Sequence, residues 1–463
     1  MMGPRKEAQS ALFYEFCLED HVPDEHLLRR IEAIIDLSSL RQHLAPHYSS
    51  TGRPSIDPEL MIRILLVGYL MGIRSERRLC DEVHLNLAYR WFCKLDLTDE
   101  VPDHSTFSKN RHGRFRDSEL LRHVFESVVA QCIEFGLASG ERLAADASII
   151  AADANRQNSS RQEDWDPEAI DPTSAPRAVR EYLETLDDAA FGAASPVKPK
   201  YTSHSDPAAQ WTGARGGPAY FAYSANYLLD TDNAIILDVD ATRSIRQAEV
   251  RSVQIMIDRL KRKYDMKPER LIADTAYGTG PMLEWLVVER GIAPHIPVFD
   301  KSGRKDGTFE RADFTFDEHD DRYICPSGKE LKQYRRAFTT PRSGPNKDAT
   351  LRYRAQKSDC DACALKSKCC PKQAARKVTR TIFESSRNEA RRLAQTHQYA
   401  ISRKLRKKVE MSFAHLKRIH GLSQLRLRGP CGANDEFLLA ATAQNLKKLA
   451  KWATNPMPTP KPV

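Results

Sequence analysis

The sequence predicts a mixed α/β core, preceded by an all-helical N-terminal domain and interrupted by a small strand-rich insert. Three observations carry this. Apolar residues recur at three- and four-residue spacing from about 24 to 135, the period of amphipathic helices. Short apolar strands then alternate with helical stretches up to about 299, the order that lays helices on a sheet. A basic, strand-like, cysteine-bearing segment separates the last of those strands from a final helical run.

The chain has 463 residues, 41% hydrophobic and 29% charged, which suits several globular domains of roughly 150 residues and excludes a disordered protein. The net charge of +9 is compatible with a polyanionic partner, although where that charge sits matters more than its sum. The N-terminus MMGPRKEAQSALFYEFCLED lacks the apolar run of an export signal, so a cytoplasmic, nucleoid-associated protein is expected. Ten cysteines in such a compartment imply reduced thiols or metal ligands.

Taken in order, DEHLLRRIEAIIDLSSLRQHL, IDPELMIRILLVGYLMGI, SERRLCDEVHLNLAYRWFCKL, DHSTFSKNRHGRF and DSELLRHVFESVVAQCIEFGL read as helices, several preceded by an Asp or Ser suited to an N-cap. The apolar stretch at 60–73 is short for a bilayer and contains Arg63, so it predicts a core helix. DHSTFSKNRHGRF, opened by Asp103 or Ser105, offers Lys109 and Arg111 for phosphate or base-edge contacts in a helix-turn-helix-like role over 56–115; a packing helix with a solvated basic face is the equal alternative.

RLAADASIIAADA predicts a strand, and the acidic, Pro-bearing EDWDPEAIDPTSAP a loop or insertion. AYFAYSANYLL and AIILDVDATRS, separated by DTDN, predict a hairpin. QAEVRSVQIMIDRLKRKY is helical, PERLIADTAYG a short buried strand, GPMLEWLVVERG a helix and IAPHIPVF a last strand. The expected division is 1–135 helical DNA-binding domain, 136–299 first part of the core, 300–385 insert, 386–454 returning core helices and 455–463 Pro-rich tail.

The candidate chemistry begins in the helix RKLRKKVEMSFAHLKRIHG at 403–421, where one acid sits among cations. At about 100° per residue Arg406, Glu410 and Lys417 fall within roughly 40° of one another, beside an apolar stripe of Leu405, Val409, Phe413 and Leu416. Glu410 is then expected at the border of the buried face, or is simply a surface partner of Arg406. Asp146 lies in an apolar strand, where a carboxylate needs a partner or a metal; Asp274 ends another strand, where α/β sheets place functional groups. Asp146 could instead accept turn hydrogen bonds and Asp274 cap a helix, and Asp153 and Asp240 are rival strand-end acids. Three such carboxylates brought together would bind hard divalent cations, Mg²⁺ above all, which in pairs can activate a water or a 3′-hydroxyl and stabilise the departing oxygen.

Three blocks, LAADASIIAADAN, LIADTAYGTG and R-x3-E-x6-K as Arg406, Glu410 and Lys417, resemble those of DDE-type transposases of bacterial insertion sequences. The resemblance implies a ribonuclease H-like core, with Asp146, Asp274 and Glu410 as catalytic ligands of two Mg²⁺ ions. It also implies DNA contacts from Arg406 and Lys417, to which the basic run adds Arg403, Lys404 and Lys407. GRPSIDPELMIRILLVGYLMGIRSERRL, DHSTFSKNRHGRF, SHSDPAAQW and RLRG are similar to one branch with a helical N-terminal domain. Many members carry a Tyr three residues before the motif Arg; this chain has Arg403 there. The implied activity is DNA cleavage and strand transfer on double-stranded DNA by a homodimer. A catalytically inactive DNA-binding regulator and a nuclease on the same core are the alternatives.

Cys325-Pro-Ser-Gly, Cys360-x2-Cys363, Cys369 and Cys370 form a second constellation. Cys325, Cys360, Cys363 and Cys369 could make a structural Zn²⁺ site, with free thiols the equal alternative. Cys17, Cys80, Cys93, Cys132 and Cys431 fall in helical patterns and are expected in cores. Tyr277-Gly-Thr-Gly is too short for a nucleotide loop, and the histidines lack the HExxH spacing of a zinc hydrolase.

Overall fold

The computed structural model describes residues 16–49, 51–52, 55–185, 199–213, 217–300, 302–304, 306–333, 344–346 and 349–454. The Pro-rich tail lies outside them. The chain falls into two compact units, one running to Lys267 and resuming at Lys407, the other Pro268–Arg406.

In the first unit α1 (Pro58–Met71) starts at Asp57, whose carboxylate accepts the Glu59 N–H at 3.1 Å, and stops at Gly72 in the left-handed conformation, φ +72°. It is buried nearly all round, as expected of a core helix, and Arg63 is held inside by Glu59, Glu32 and the Phe92 carbonyl. Among the described residues no helix is long and apolar enough to cross a membrane. α2 (Glu76–Leu85) is capped by Ser75, and α3 (His104–His112) by Asp103, whose carboxylate accepts the Ser105 N–H at 2.8 Å. α4 (Leu120–Glu134) closes the helical segment.

β1 (Arg142–Ala151), β2 (Gln210–Gly213), β3 (Ala219–Asp230) and β4 (Ile236–Arg243) follow, then α5 (Arg246–Tyr264). β3 pairs antiparallel with β1 along one edge, and its other edge is shared by β2 and then β4. The predicted hairpin is therefore β3–β4. The stretch expected to be a loop, 163–176, holds only short turns, and a helix, Arg177–Glu184, follows it.

Two late helices complete the unit: α6 (His397–Arg418), which enters it at Lys407, and α7 (Gly429–Thr454). α7 packs on α4, α1 and β4, and the Asn445 amide both accepts from the Ile236 N–H at 3.0 Å and donates to the Ile236 carbonyl at 2.7 Å. The N-terminal helices thus share one unit with the sheet through α7, instead of standing apart as the sequence pattern suggests.

The motif SHSDPAAQW acts here as a brace. Asp206 is fully buried, accepting the Tyr223 hydroxyl at 2.6 Å and the Gly429 N–H at the start of α7 at 3.0 Å. Gly429 has φ +87°, and a Cβ there would meet the Glu181 carboxylate at 2.4 Å, so RLRG needs its glycine. Burial pushes the Asp206 carboxyl up to about 6 from 3.8. The folded state keeps this proton while the unfolded state has released it, so stability should fall as pH rises through that window. Asp206→Asn should flatten the slope in denaturant titrations from pH 4 to pH 6.

In the second unit β5 (Arg270–Ile272) and β6 (Ala293–His295) pair in parallel, joined through Gly280–Glu284 and a π-helical turn at Trp285–Arg290. The cysteine-bearing segment forms a five-stranded antiparallel sheet. Its strands are β7 (Thr315–Asp317), β8 (Arg322–Ile324), β9 (Glu330–Gln333), β10 (Thr350–Ala355) and β11 (Lys377–Thr381), in chain order across the sheet. Its core is small, built on Phe314, Tyr323, Leu331, Tyr353 and Val378 with Cys360, Cys369 and Cys370.

Candidate active site

β1 carries Asp146 part-buried, with Oδ1 accepting the Ala147 N–H at 2.9 Å. Across the ladder Asp146 stands opposite Tyr227 on β3, so the two side chains leave the same face of the sheet. The Tyr227 ring meets Phe413 of α6 at 5.2 Å and 64°, which puts α6 on that face.

Two lysines set the direction. Lys408 Nζ donates to the Thr231 and Asp232 carbonyls, both at 2.9 Å, just past β3 where Thr231 N–H bonds the Arg142 carbonyl. Lys417 Nζ donates to the Ile149 carbonyl at 3.2 Å. From Lys407 onward α6 therefore runs along β1 in the same sense, from its Arg142 end towards Ile149. Glu410 lies between these anchors, one turn before the residue packed on Asp146's cross-strand partner. The helix that carries Glu410 thus lies on the sheet face that Asp146 and Tyr227 share. Val409 and Leu416 are buried as predicted, but Glu410 is exposed, not at the border of the buried face.

Asp274 belongs to the second unit, two residues beyond β5. Its Oδ1 accepts the Ala276 N–H at 2.7 Å and caps the turn Thr275–Tyr277, so the capping alternative holds for one carboxylate oxygen. The loop that follows is tightly seated: Gly278 carbonyl accepts the Phe299 N–H at 2.8 Å, and a Cβ at Gly278 would lie 2.0 Å from the Pro297 carbonyl oxygen.

The rival acids have other work. Asp153 pairs with Arg428 at 2.9 Å. Asp240 accepts the Ser252 hydroxyl at 2.9 Å, and burial pushes its carboxyl up to about 6 against the pull of Arg259. As the side chains stand, no group of three or more His, Cys, Asp or Glu among the described residues could hold a metal ion. Asp146, Asp274 and Glu410 nevertheless offer only carboxylate oxygens, the donor type hard cations take.

Among the expected DNA contacts, Arg403, Lys404, Lys407 and Lys109 are exposed and Arg406 is part-buried. Arg111 requires correction: it is buried, and its guanidinium pairs with Glu76 of α2 at 2.5 Å, so it holds α3 to α2 instead of meeting DNA. Lys417 is half-buried on the Ile149 carbonyl, with its ammonium pKa lowered by burial, and serves at least partly as an anchor of α6. Arg403 and Arg406 line a cavity of about 400 Å³ together with Tyr399, His295 and the β5 end at Ile272 and Ala273, next to Asp274. The Tyr399 and His295 rings stand 5.5 Å apart. These two aromatics escaped the sequence reading, which looked for a ring at position 403; Tyr399, one helical turn earlier, was the available signal.

None of the ten cysteines forms a disulfide. Cys93 and Cys132 are buried as expected, whereas Cys17 is exposed and no core residue. Cys325, Cys360, Cys363, Cys369 and Cys370 surround one cavity of about 20 Å³.

The fold is of the α/β class, a mixed sheet carrying Asp146 with an acid-bearing helix along one face, and comparison with known families narrows it. Residues 16–113 match the transposase domain (DUF772), and residues 324–450 match the transposase DDE domain. Both matches are to transposase domains, and together they support a DDE-type transposase of an insertion sequence. The second match includes Glu410, while Asp146 and Asp274 lie outside both. No curated protein matches the chain.

Proposed function

We propose that this transposase binds the ends of its own element, cuts the adjoining phosphodiester by attack of water, and joins the freed 3′-hydroxyl to target DNA, using Asp146, Asp274 and Glu410 on a ribonuclease H-like core. The observation that carries the reading is the course of α6, the helix that bears Glu410, along β1, anchored by Lys408, Phe413 and Lys417. The antiparallel order β4-β3-β1, followed by α5 and then a parallel pair, agrees with such a core. The three carboxylates would hold two Mg²⁺ ions, which when bound lower the pKa of a water or 3′-hydroxyl and offset charge on the departing oxygen.

The chain's own cations hold the DNA. Arg403, Lys404 and Lys407 present exposed charge to phosphates, and Arg406 with Tyr399 approaches the backbone beside Asp274. Two element ends must be processed together, which is the reason to expect a homodimer on DNA.

A plasmid carrying element ends, incubated with the chain and Mg²⁺, should yield joined products. Nicks without joined product would favour a nuclease, and end binding without any cutting an inactive regulator. A Lys404→Ala, Lys407→Ala double variant should weaken end binding and lower the slope of log affinity against log salt by about 0.9 per lost contact. Anisotropy titrations over a range of salt concentrations measure this, and an unchanged slope would remove both lysines from the interface.

A further inference from the structure

The five-stranded insert poses a stability problem that its hydrophobic core does not solve. That core rests on a few aromatic and aliphatic side chains, and sheets of this size usually rely on a staple. Three of its buried members are thiols, Cys360, Cys369 and Cys370.

The backbone around the thiols is shaped for a soft metal. At the Cys325-Pro-Ser-Gly turn, Gly328 adopts φ +72°, its N–H bonds the Cys325 carbonyl at 2.8 Å, and the Lys329 N–H points at Cys325 Sγ from 3.3 Å. The Arg376 N–H approaches Cys360 Sγ at 3.5 Å. Backbone N–H groups aimed at sulfur are the partners that a metal-bound sulfur would accept from. Ser327 of the same turn reaches Cys363 Sγ at 3.1 Å, which ties the Cys325 turn to the Cys360-x2-Cys363 turn. Lys329, Lys366 and Arg376 also line the cavity and would offset the negative charge of several thiolates. The cavity itself, at about 20 Å³, has room for a single ion or water.

We propose that Cys325, Cys360, Cys363 and Cys369 bind one structural Zn²⁺ that staples the insert, with Cys370 as a fifth thiol that hydrogen-bonds the ligand sulfurs without joining them. The choice between the adjacent cysteines rests on position. Cys369 lies within electrostatic reach of both Cys360 and Cys325, whereas Cys370 interacts with Cys369 and Cys360. Around the cavity Ser327 engages Cys363, and Cys360, Cys369 and Cys370 engage one another. Each ligand would rotate inward and release its proton to solvent as the metal–sulfur bond forms.

The test uses the full chain purified without chelators, with metal content read by inductively coupled plasma mass spectrometry. About one Zn²⁺ per chain is expected for a closed four-thiolate site. Cys360→Ser and Cys369→Ser should lose it, and Cys370→Ser should keep it. Because a ligand variant can lose zinc by unfolding, the wild-type chain exchanged into Co²⁺ gives a second reading: thiolate-to-cobalt charge transfer and tetrahedral d–d bands are expected. Zinc-free wild-type protein without those cobalt bands would overturn the proposal. Loss of zinc in Cys370→Ser with retention in Cys369→Ser would overturn the ligand assignment.

Discussion

Asp146→Asn and Glu410→Gln should each lose at least about 100-fold in DNA cleavage, because losing a metal ligand exceeds the 10- to 100-fold typical of losing a group behind one. Folding and end binding should survive. Asn at 146 keeps a carbonyl oxygen for the Ala147 N–H, and Glu410 is exposed, so both changes remove charge while leaving the packing in place. Asp274→Asn belongs to the same set, since Asn caps the Thr275–Tyr277 turn about as well as Asp. Cleavage of an end-bearing plasmid is the readout, with circular dichroism and end-binding titrations as controls. Mg²⁺-dependent cutting at near wild-type rate in any one variant would take that residue out of the site.

Glu436→Ala should have the largest effect on stability, about 3–5 kcal/mol, the cost of leaving one partner of a buried ion pair alone. Glu436 is 1% exposed and pairs with Arg74, which is itself nearly buried and lies over the Tyr69 ring at 4.2 Å. The other carboxylate oxygen accepts the Arg426 and Leu427 N–H groups, both at 2.6 Å, so the substitution strands a guanidinium and two backbone donors at once. These bonds hold the chain between α6 and α7, the segment that returns from the Glu410 helix. A urea-midpoint shift worth less than about 1 kcal/mol would mean that the pair is solvated or replaced on removal.

Local rules reached most of the elements. The caps at Asp57, Ser75 and Asp103, the β3–β4 hairpin and the apolar stripe of α6 depend on residues within a few positions of one another, so spacing exposes them. Asp146 and Glu410 were legible as candidates for a related reason. A carboxylate inside an apolar strand, or one acid in a basic helix, conflicts with its immediate surroundings, and such conflicts mark sites.

Side chains whose partners are far away in sequence were not legible. Arg111 and Lys109 look alike on paper, yet packing of α3 on α2 buries one against Glu76 and exposes the other. Asp153 and Asp240 resembled Asp146 until Arg428 and Ser252 claimed them. The N-terminal helices read as a separate domain because no pattern within them announces α7, hundreds of residues later, as the element they pack on. From the sequence by itself came the kind of protein, its element order and the chemical types gathered in it. Only the tertiary structure decided that the helix bearing Glu410 lies on the face of the sheet that Asp146 shares, and which cations remain exposed. The physical reason is that a carboxylate or guanidinium takes its role from whichever group first satisfies its charge, and folding chooses that group across distances that periodicity does not span.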